Sequence, residues 1–382
     1  LAVVGDDDQS IYMFRGAKPE IMLNFKKDYP NCKVIHMSTN YRSLQEIIQK
    51  ADNLVQHNSQ RFSKQFLGSR QEKGKVIFRN YLNSISQLGG VIHKIRSLLD
   101  DGIKPEQIAI LYRTNKESMP FAEYFMNEKI PFQCNERLKS KYHHWIFQDI
   151  QAYQKLSRGK KDIIAFNRIL NHPNRFFYGK AFRSVNPDLE SLNQAIYMQS
   201  GKEYWKIQKG LKNAADLFRH LKVLSSLNPV EFMNYLYRAV GYDEYLKQYA
   251  DLRKLDKKEL TAIWNNLYDE AKLYGNWGEW GRHIMAYNRQ LQQANKNKDG
   301  IMLSTMHRSK GLEWEYVFII NCINGTIPHT NATEFEDIEE ERRLFYVAMT
   351  RAKDSLYLTA YKKDGEGDKE TNVSPFIEEC NI

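Results

Sequence analysis

None of the four cysteines, Cys32, Cys134, Cys322 and Cys380, falls at C-x-x-C spacing, so the 382-residue sequence supports neither a zinc site nor an iron–sulfur cluster. Reduced thiols follow. No apolar run reaches membrane-spanning length and no signal peptide is recognisable, which predicts a soluble, cytoplasmic protein with no membrane partner. Two further absences concern phosphate chemistry: the sequence contains no G-x-x-x-x-G-K-[ST] loop and no D-E-x-x-D motif. Lys310-Gly311 lacks the upstream glycine of such a loop, and Asp6-Asp7-Asp8 is not read as a metal site. Acidic charge is also in deficit, with 46 Asp and Glu against 56 Lys and Arg. The resulting net charge of +10 favours a polyanionic partner. With 42% hydrophobic and 13% aromatic residues the chain is not disordered, and its length allows two or three domains with cores.

Four segments carry chemistry. Leu1 to Gly16 reads LAVVGDDDQSIYMFRG, an apolar strand running into polar residues, the arrangement by which open α/β sheets place ligands at a strand's carboxyl end. There Gln9 can sense a phosphate or water, while Tyr12, Phe14 and Arg15 offer two ring faces and a cation for bases. In Asn40-Tyr41-Arg42-Ser43, Ser43 and Glu46 form an S-x-x-E capping box, which places Arg42 just before a helix N-terminus. A cation is disfavoured there, so an anionic ligand or a nearby carboxylate is the better explanation, and a plain surface arginine is the alternative.

The third segment, Ser304 to Glu313, lies between two apolar strands. Its hydroxyls, glycine and basic pair suit a phosphodiester backbone, and Glu313 suits a sugar hydroxyl. The fourth, Glu339 to Lys353, puts Leu344, Val347, Ala348 and Arg351 at helical spacing on one face. A buried-side arginine calls for an anion, although a cation at a helix C-terminus also complements the dipole. The acids from Glu334 to Glu341 read as a solvated loop leading into that helix.

Together these segments resemble superfamily 1 DNA helicases of the UvrD/Rep/PcrA family, in the family's own order. GDDDQSIYMFRGA is similar to motif III, NYRS to motif IV, STMHRSKGLEW to motif V and EERRLFYVAMTRAK to motif VI. Ile110 to Asn115 is similar to the family's strand motif that touches single-stranded DNA, and Ser374-Pro375-Phe376-Ile377 to its C-terminal SRFL segment. The resemblance implies ATP as cofactor, with Gln9, Arg42 and Arg351 around the γ-phosphate, Tyr41 on adenine, Gly311 beside the nucleotide and Glu313 on the ribose. It implies a single-strand path along Tyr12, Phe14, Arg15, Arg113, Asn115, Thr305, His307, His329 and Phe376. Single-stranded DNA and single/double-strand junctions are the expected partners. The family's phosphate loop and magnesium-binding acids precede motif III, so the chain is expected to be a C-terminal fragment, inactive alone, with its Mg2+ ligands in the missing part.

The expected fold class is α/β: a RecA-like parallel-sheet motor domain interrupted by a mostly helical insertion and preceded by a remnant of a first RecA-like domain. Residues 1–41 would be that remnant (1A), with strands at Leu1 to Val4 and Cys32 to Met37 around a helix from Pro19 to Tyr29. Residues 42–165 and 299–382 would form the second RecA-like domain (2A), and 166–298 the insertion (2B-like). In that insertion the family's glycine-rich hairpin is altered to Arg175-Phe176-Phe177-Tyr178-Gly179-Lys180. The apolar stripe from Ile85 to Leu99 predicts a helix, and Ile108 to Leu111, Ile301 to Leu303, Tyr316 to Ile320 and Leu356 to Ala360 predict buried strands. A non-catalytic nucleic-acid-binding or partner-docking module on the same fold is the alternative. A helicase–nuclease subunit would need a carboxylate-rich domain after motif VI, and about thirty residues remain there.

Overall fold

The computed structural model describes residues 2–382 except 71, 73, 202 and 365–369, and the backbone alone of residue 14. The chain divides into two compact units, Leu1–Leu138 with Gln290–Ile382, and Lys139–Arg289.

The first unit is built on a six-stranded, all-parallel sheet. In chain order its strands are β1 (Lys75–Asn83), β2 (Ile108–Tyr112), β3 (Phe132–Cys134), β4 (Ile301–Thr305), β5 (Trp314–Ile319) and β6 (Ala352–Lys363). Their spatial order is β1-β6-β5-β2-β4-β3. Every residue of β2 and β4 is buried, as continuous apolar runs in a parallel sheet require. The polar edge strand β1 carries partly exposed residues throughout. It was not anticipated, because Lys75, Arg79, Asn80 and Asn83 break the apolar run that marks the other strands. The expected helix over Ile85 to Leu99 is α2 (Ser84–Asp100), opened by a reciprocal Asn83–Ser86 capping box.

Several expectations give way. Residues 2–6 and 32–37 form no strand, and Val4, Ile35 and Met37 are exposed, because no neighbouring strand among the described residues offers them a hydrogen-bond ladder. Residue 1 lies outside the described residues. The helix expected from Pro19 is two short pieces, Pro19–Leu23 and Phe25–Asp28. Ser43 is not a cap. Helix α1 (Gln45–Val55) has Leu44 at its N-cap, and the buried Ser43 hydroxyl instead donates to the Ala352 carbonyl at 2.6 Å.

The acids before motif VI are helical rather than a loop. The helix Phe335–Met349 includes buried Glu339 and Glu341, and ion pairs Glu339–Arg343 at 3.1 Å and Glu341–Arg113 at 2.7 Å offset the cost of that burial. Inside this helix lies the main core, where Leu344, Phe345, Val347 and Ala348 meet Ile47, Leu54, Val317 and Leu356.

The second unit is helical, from Trp145–Ser157 through most of Trp277–Ala294, with no strand among its described residues. It begins at Lys139, ahead of the expected boundary at 166. Trp264 and Trp280 are buried in its core.

Candidate functional site

Parallel strands put all their starts on one edge of the sheet and all their ends on the other, and the sequence-selected residues sort accordingly. Glu313 immediately precedes β5 and Arg351 immediately precedes β6, whereas Arg113, Thr305 and His307 lie at or just after the ends of β2 and β4. The sequence-selected residues therefore lie on two faces.

At the strand-start face, Arg351 follows the helix Phe335–Met349 and its C-cap Thr350. Its side chain is 1% exposed, with Nε donating to Val347 O at 2.8 Å, Nη1 to Leu312 O at 3.2 Å and Nη2 to Thr350 Oγ1 at 3.1 Å. All three acceptors are neutral, and no carboxylate among the described residues pairs with it. Burial, then the neighbouring Arg42 guanidinium, pushes Arg351 down to about 10. The cation does satisfy a terminal helix carbonyl, as the alternative reading held, yet no carboxylate contacts it and the more distant Glu313 and Asp6 only partly offset burial and Arg42.

Arg42 reaches the same place from before α1, its Nη1 3.4 Å from Thr350 O and its Nε 2.5 Å from Glu313 Oε2. Lys353 Nζ takes the other Glu313 oxygen at 3.0 Å. Arg42 and then Lys353 hold Glu313 below the usual carboxylate range. Arg42 and Lys353 thus share the Glu313 carboxylate while Arg351 stands beside them without a carboxylate contact, which leaves a local excess of positive charge. Lys310 Nζ donates to Gln9 O at 2.8 Å, and the Gln9 amide donates to Asp6 at 2.6 Å. Tyr41 is 76% exposed, its ring free to stack. Gly311 has φ +88°, a left-handed conformation that favours glycine, with open space where a Cβ would stand.

Asp6, Asp7 and Asp8 group closely but are already answered by cations. Arg61 grips both Asp8 oxygens at 3.1 Å, and Lys64 reaches Asp6, Asp7 and Asp8.

At the strand-end face, Tyr12, Arg15, Thr305, His307 and Lys310 line a cavity of about 660 Å³ with Asn135, Glu136, Arg308 and Leu312. The Tyr12 ring has Lys310 at 5.4 Å and Arg15 at 5.6 Å from its centroid, and its hydroxyl donates to His307 O at 3.3 Å. Burial, then Arg113, pushes His307 down to about 4, so the imidazole is neutral at neutral pH. Arg113 is held by both Glu341 oxygens, and Glu341 also accepts from the backbone N–H of His329 at 3.0 Å. Asn115 stands exposed at the start of the turn Asn115–Ser118.

Phe376 does not belong to this face. It is 1% exposed on the short helix Pro375–Glu379 and packs on Phe345 at 6.0 Å and under the Arg342 guanidinium at 5.1 Å. It is a core residue, because the Ser374 cap and Pro375 turn the ring inward rather than along a groove. The Phe14 side chain lies outside the described residues.

Two residues of consequence escaped the sequence reading. Glu341 orients Arg113 and His329 from an acidic run that read as solvated. Glu136 accepts from Thr305 Oγ1 at 2.8 Å and pairs with Arg308 at 3.2 Å across the β3–β4 register, which no local pattern reveals.

Comparison with known proteins gives the family. The UvrD-like helicase C-terminal domain matches residues 35–363, and the UvrD/REP helicase N-terminal domain matches residues 1–30. The chain is 32% identical over 377 residues to the putative ATP-dependent DNA helicase YjcD of Bacillus subtilis, covering 94% of this chain and 48% of that protein. It is 32% identical to the ATP-dependent DNA helicase PcrA of the same organism, with 95% and 51% covered. Against the ATP-dependent DNA helicase Rep of Buchnera aphidicola the identity is 31%, with 94% and 57% covered. The chain therefore spans about half the length of these relatives. A domain match across most of the chain, carried on a six-stranded parallel sheet, makes this chain a member of the UvrD-like helicase family.

Proposed function

We propose that this chain forms part of an ATP-dependent DNA helicase or translocase, supplying the second nucleotide-facing surface and much of the single-strand path. Arg351 carries the reading. It is a buried guanidinium with three neutral acceptors and a second guanidinium beside it, an arrangement that burial and like-charge repulsion both oppose unless an anion completes it.

The residues present fit a nucleotide triphosphate. ATP, when bound, supplies the phosphoanhydride whose hydrolysis drives movement, and Mg2+ with its ligands would belong to a segment outside this chain. Arg351, preorganised by Val347, Leu312 and Thr350, would face the negative charge that develops on the transferring phosphoryl group. Arg42 would leave Glu313 to do the same, freeing that carboxylate for a ribose hydroxyl. Gln9 would orient the attacking water, and Tyr41 would stack on the base. On the opposite face, Tyr12, Arg15, Arg113, Asn115, Thr305, neutral His307 and His329 would track a single strand.

In a full-length protein containing this chain, Arg42→Ala and Arg351→Ala are each expected to lower ATP turnover on the order of a hundredfold or more, with single-strand affinity nearly unchanged. Arg351→Lys, which keeps a charge in the buried position, guards against loss of folding and should still lose most of the turnover. Steady-state kinetics beside an oligonucleotide titration decides this. Unchanged turnover with impaired DNA affinity would instead favour the binding-module reading.

A further inference from the structure

One loop supports Arg113 and Thr114 from two sides. Residues 321–329 follow β5 at the strand-end edge, where the Ile320 N–H donates to Leu111 O at 3.1 Å and so brings the loop beside the end of β2. At the loop's far end the His329 N–H donates to Glu341, which grips Arg113. At its near end the Asn321 amide donates to Glu117 Oε2 at 2.8 Å, and Glu117 Oε1 accepts from both the N–H and the hydroxyl of Thr114 at 2.7 Å. Each of the two residues is thus answered by a carboxylate, and each carboxylate is tied to this loop. Asn115 follows directly. It is exposed, and its carbonyl accepts from the buried Ser118 hydroxyl at 2.7 Å.

The near contact is held on every side. Asn321 has φ +55°, in the left-handed region that asparagine tolerates better than most residues other than glycine. In that conformation its amide lies between two partners. Gln87, 3% exposed in the first turn of α2, donates from Nε2 to Asn321 Oδ1 at 2.6 Å and accepts from the Asn321 N–H at 3.4 Å. A buried glutamine amide costs free energy unless it is paired, so Gln87 fixes the Asn321 amide and Asn321 in turn fixes the Glu117 carboxylate. The loop backbone is anchored as well: Cys322 N–H donates to Thr359 O at 2.8 Å, Asn324 N–H to Asn372 O at 2.8 Å, and Cys322 O accepts from Ser374 N–H at 2.9 Å.

We propose that Asn321 is a positioning residue for nucleic-acid binding: through Glu117 it fixes the turn that presents Asn115 to the strand, without touching the strand itself. The inference rests on the proposed function, which runs a single strand past Asn115.

The test exchanges the two partners in a full-length protein containing this chain and measures affinity for a labelled oligodeoxynucleotide. Asn321→Asp sets two carboxylates against each other. Glu117→Gln, its one remaining oxygen kept by Thr114, sets one amide NH2 against another. Each is expected to weaken binding about fivefold, the scale of one hydrogen bond. Asn321→Gly, which suits the left-handed backbone and adds no charge, should also lose about fivefold. The double variant Asn321→Asp/Glu117→Gln restores the bridge at unchanged net charge and should return affinity to within about twofold of the unsubstituted protein. Charge alone predicts otherwise, since removing the Glu117 charge would strengthen binding to a polyanion. In an Asn115→Ala background, Glu117→Gln should change affinity by less than about twofold, an exemption that a general loss of stability would not grant. Tighter binding by Glu117→Gln, no recovery in the double variant, or an undiminished loss in the Asn115→Ala background would each overturn the proposal and leave the proposed function standing. If the unsubstituted full-length protein binds no oligonucleotide, the proposed function fails and this proposal with it.

Discussion

Among the residues around the Tyr12–His307 cavity, Glu136 carries the charge that a polyanion avoids, yet it holds the two groups best suited to a phosphate. Its Oε1 accepts from Thr305 Oγ1 at 2.8 Å and pairs with Arg308 Nε at 3.2 Å. In the proposed path it therefore imitates a phosphate and has to be displaced by one. Replacing Glu136 with glutamine keeps the hydrogen bond and removes the charge, worth about 1 kcal/mol at this semi-exposed position, or roughly fivefold tighter single-strand binding. The log–log salt dependence should steepen as Arg308 becomes available to the strand. Oligonucleotide titrations at several salt concentrations measure both, and weaker binding would make Glu136 a positioning residue rather than a competitor. Placement was legible where chemistry is local. Arg42, Glu313 and Arg351 showed their place in the fold by charges beside helices and strands. Phe376 and Ser43 did not, because whether a ring or a hydroxyl turns inward depends on neighbours outside the local segment, Phe345 for Phe376 and Ala352 for Ser43.

At the scale of elements, residues 306–313 connect the two faces. β4 and β5 are parallel, so the segment leaving Thr305 at the strand-end edge must cross the unit before Glu313 starts β5 at the other. His307 stands at one end of it. At the other, Leu312 O accepts from Arg351 Nη1, and Trp314 N–H donates to Arg351 O at 2.9 Å. A displacement at the Tyr12–His307 face thus has a short covalent route to the buried arginine. Gly311 is its most permissive point, at φ +88° with no neighbour within 4 Å of a Cβ position, so alanine there is opposed by backbone conformation alone, about 1–2 kcal/mol. In the full-length protein Gly311→Ala is expected to reduce stimulation of ATP turnover by DNA several-fold more than it changes either binding constant. Stimulation unchanged within error would mean the segment is a tether and not a link. The central strands, the helix α2 and the helical character of the second unit could be read from apolar periodicity. The polar edge strand β1 and the buried acids of Phe335–Met349 could not, since sheet partners and ion pairs, within the helix for Glu339 and to Arg113 for Glu341, override local hydropathy.

For the whole molecule, net charge and missing chemistry pull in different directions, and together they predict a divided behaviour. A charge of +10, with arginines and a lysine at the Tyr12–His307 cavity, should give the chain by itself a salt-sensitive affinity for single-stranded DNA. Turnover is another matter. Arg42 and Arg351 can stabilise charge on a phosphoryl group only if something else holds the β-phosphate and a metal, and the 382 residues contain neither a G-x-x-x-x-G-K-[ST] loop nor a D-E-x-x-D motif. Without that cradle the arginines have a transition state to complement and no substrate fixed in place to reach it, so positioning, the larger share of phosphoryl-transfer catalysis, is lost. The purified chain is therefore expected to bind a labelled oligonucleotide at low salt, to release it as salt rises, and to liberate no phosphate from ATP whether or not DNA is present. Binding is read by fluorescence anisotropy across a salt series and hydrolysis by phosphate release on the same preparation. Phosphate release stimulated by DNA would show that these residues assemble a complete site by another route, and the division of labour proposed for Arg42 and Arg351 would have to be abandoned.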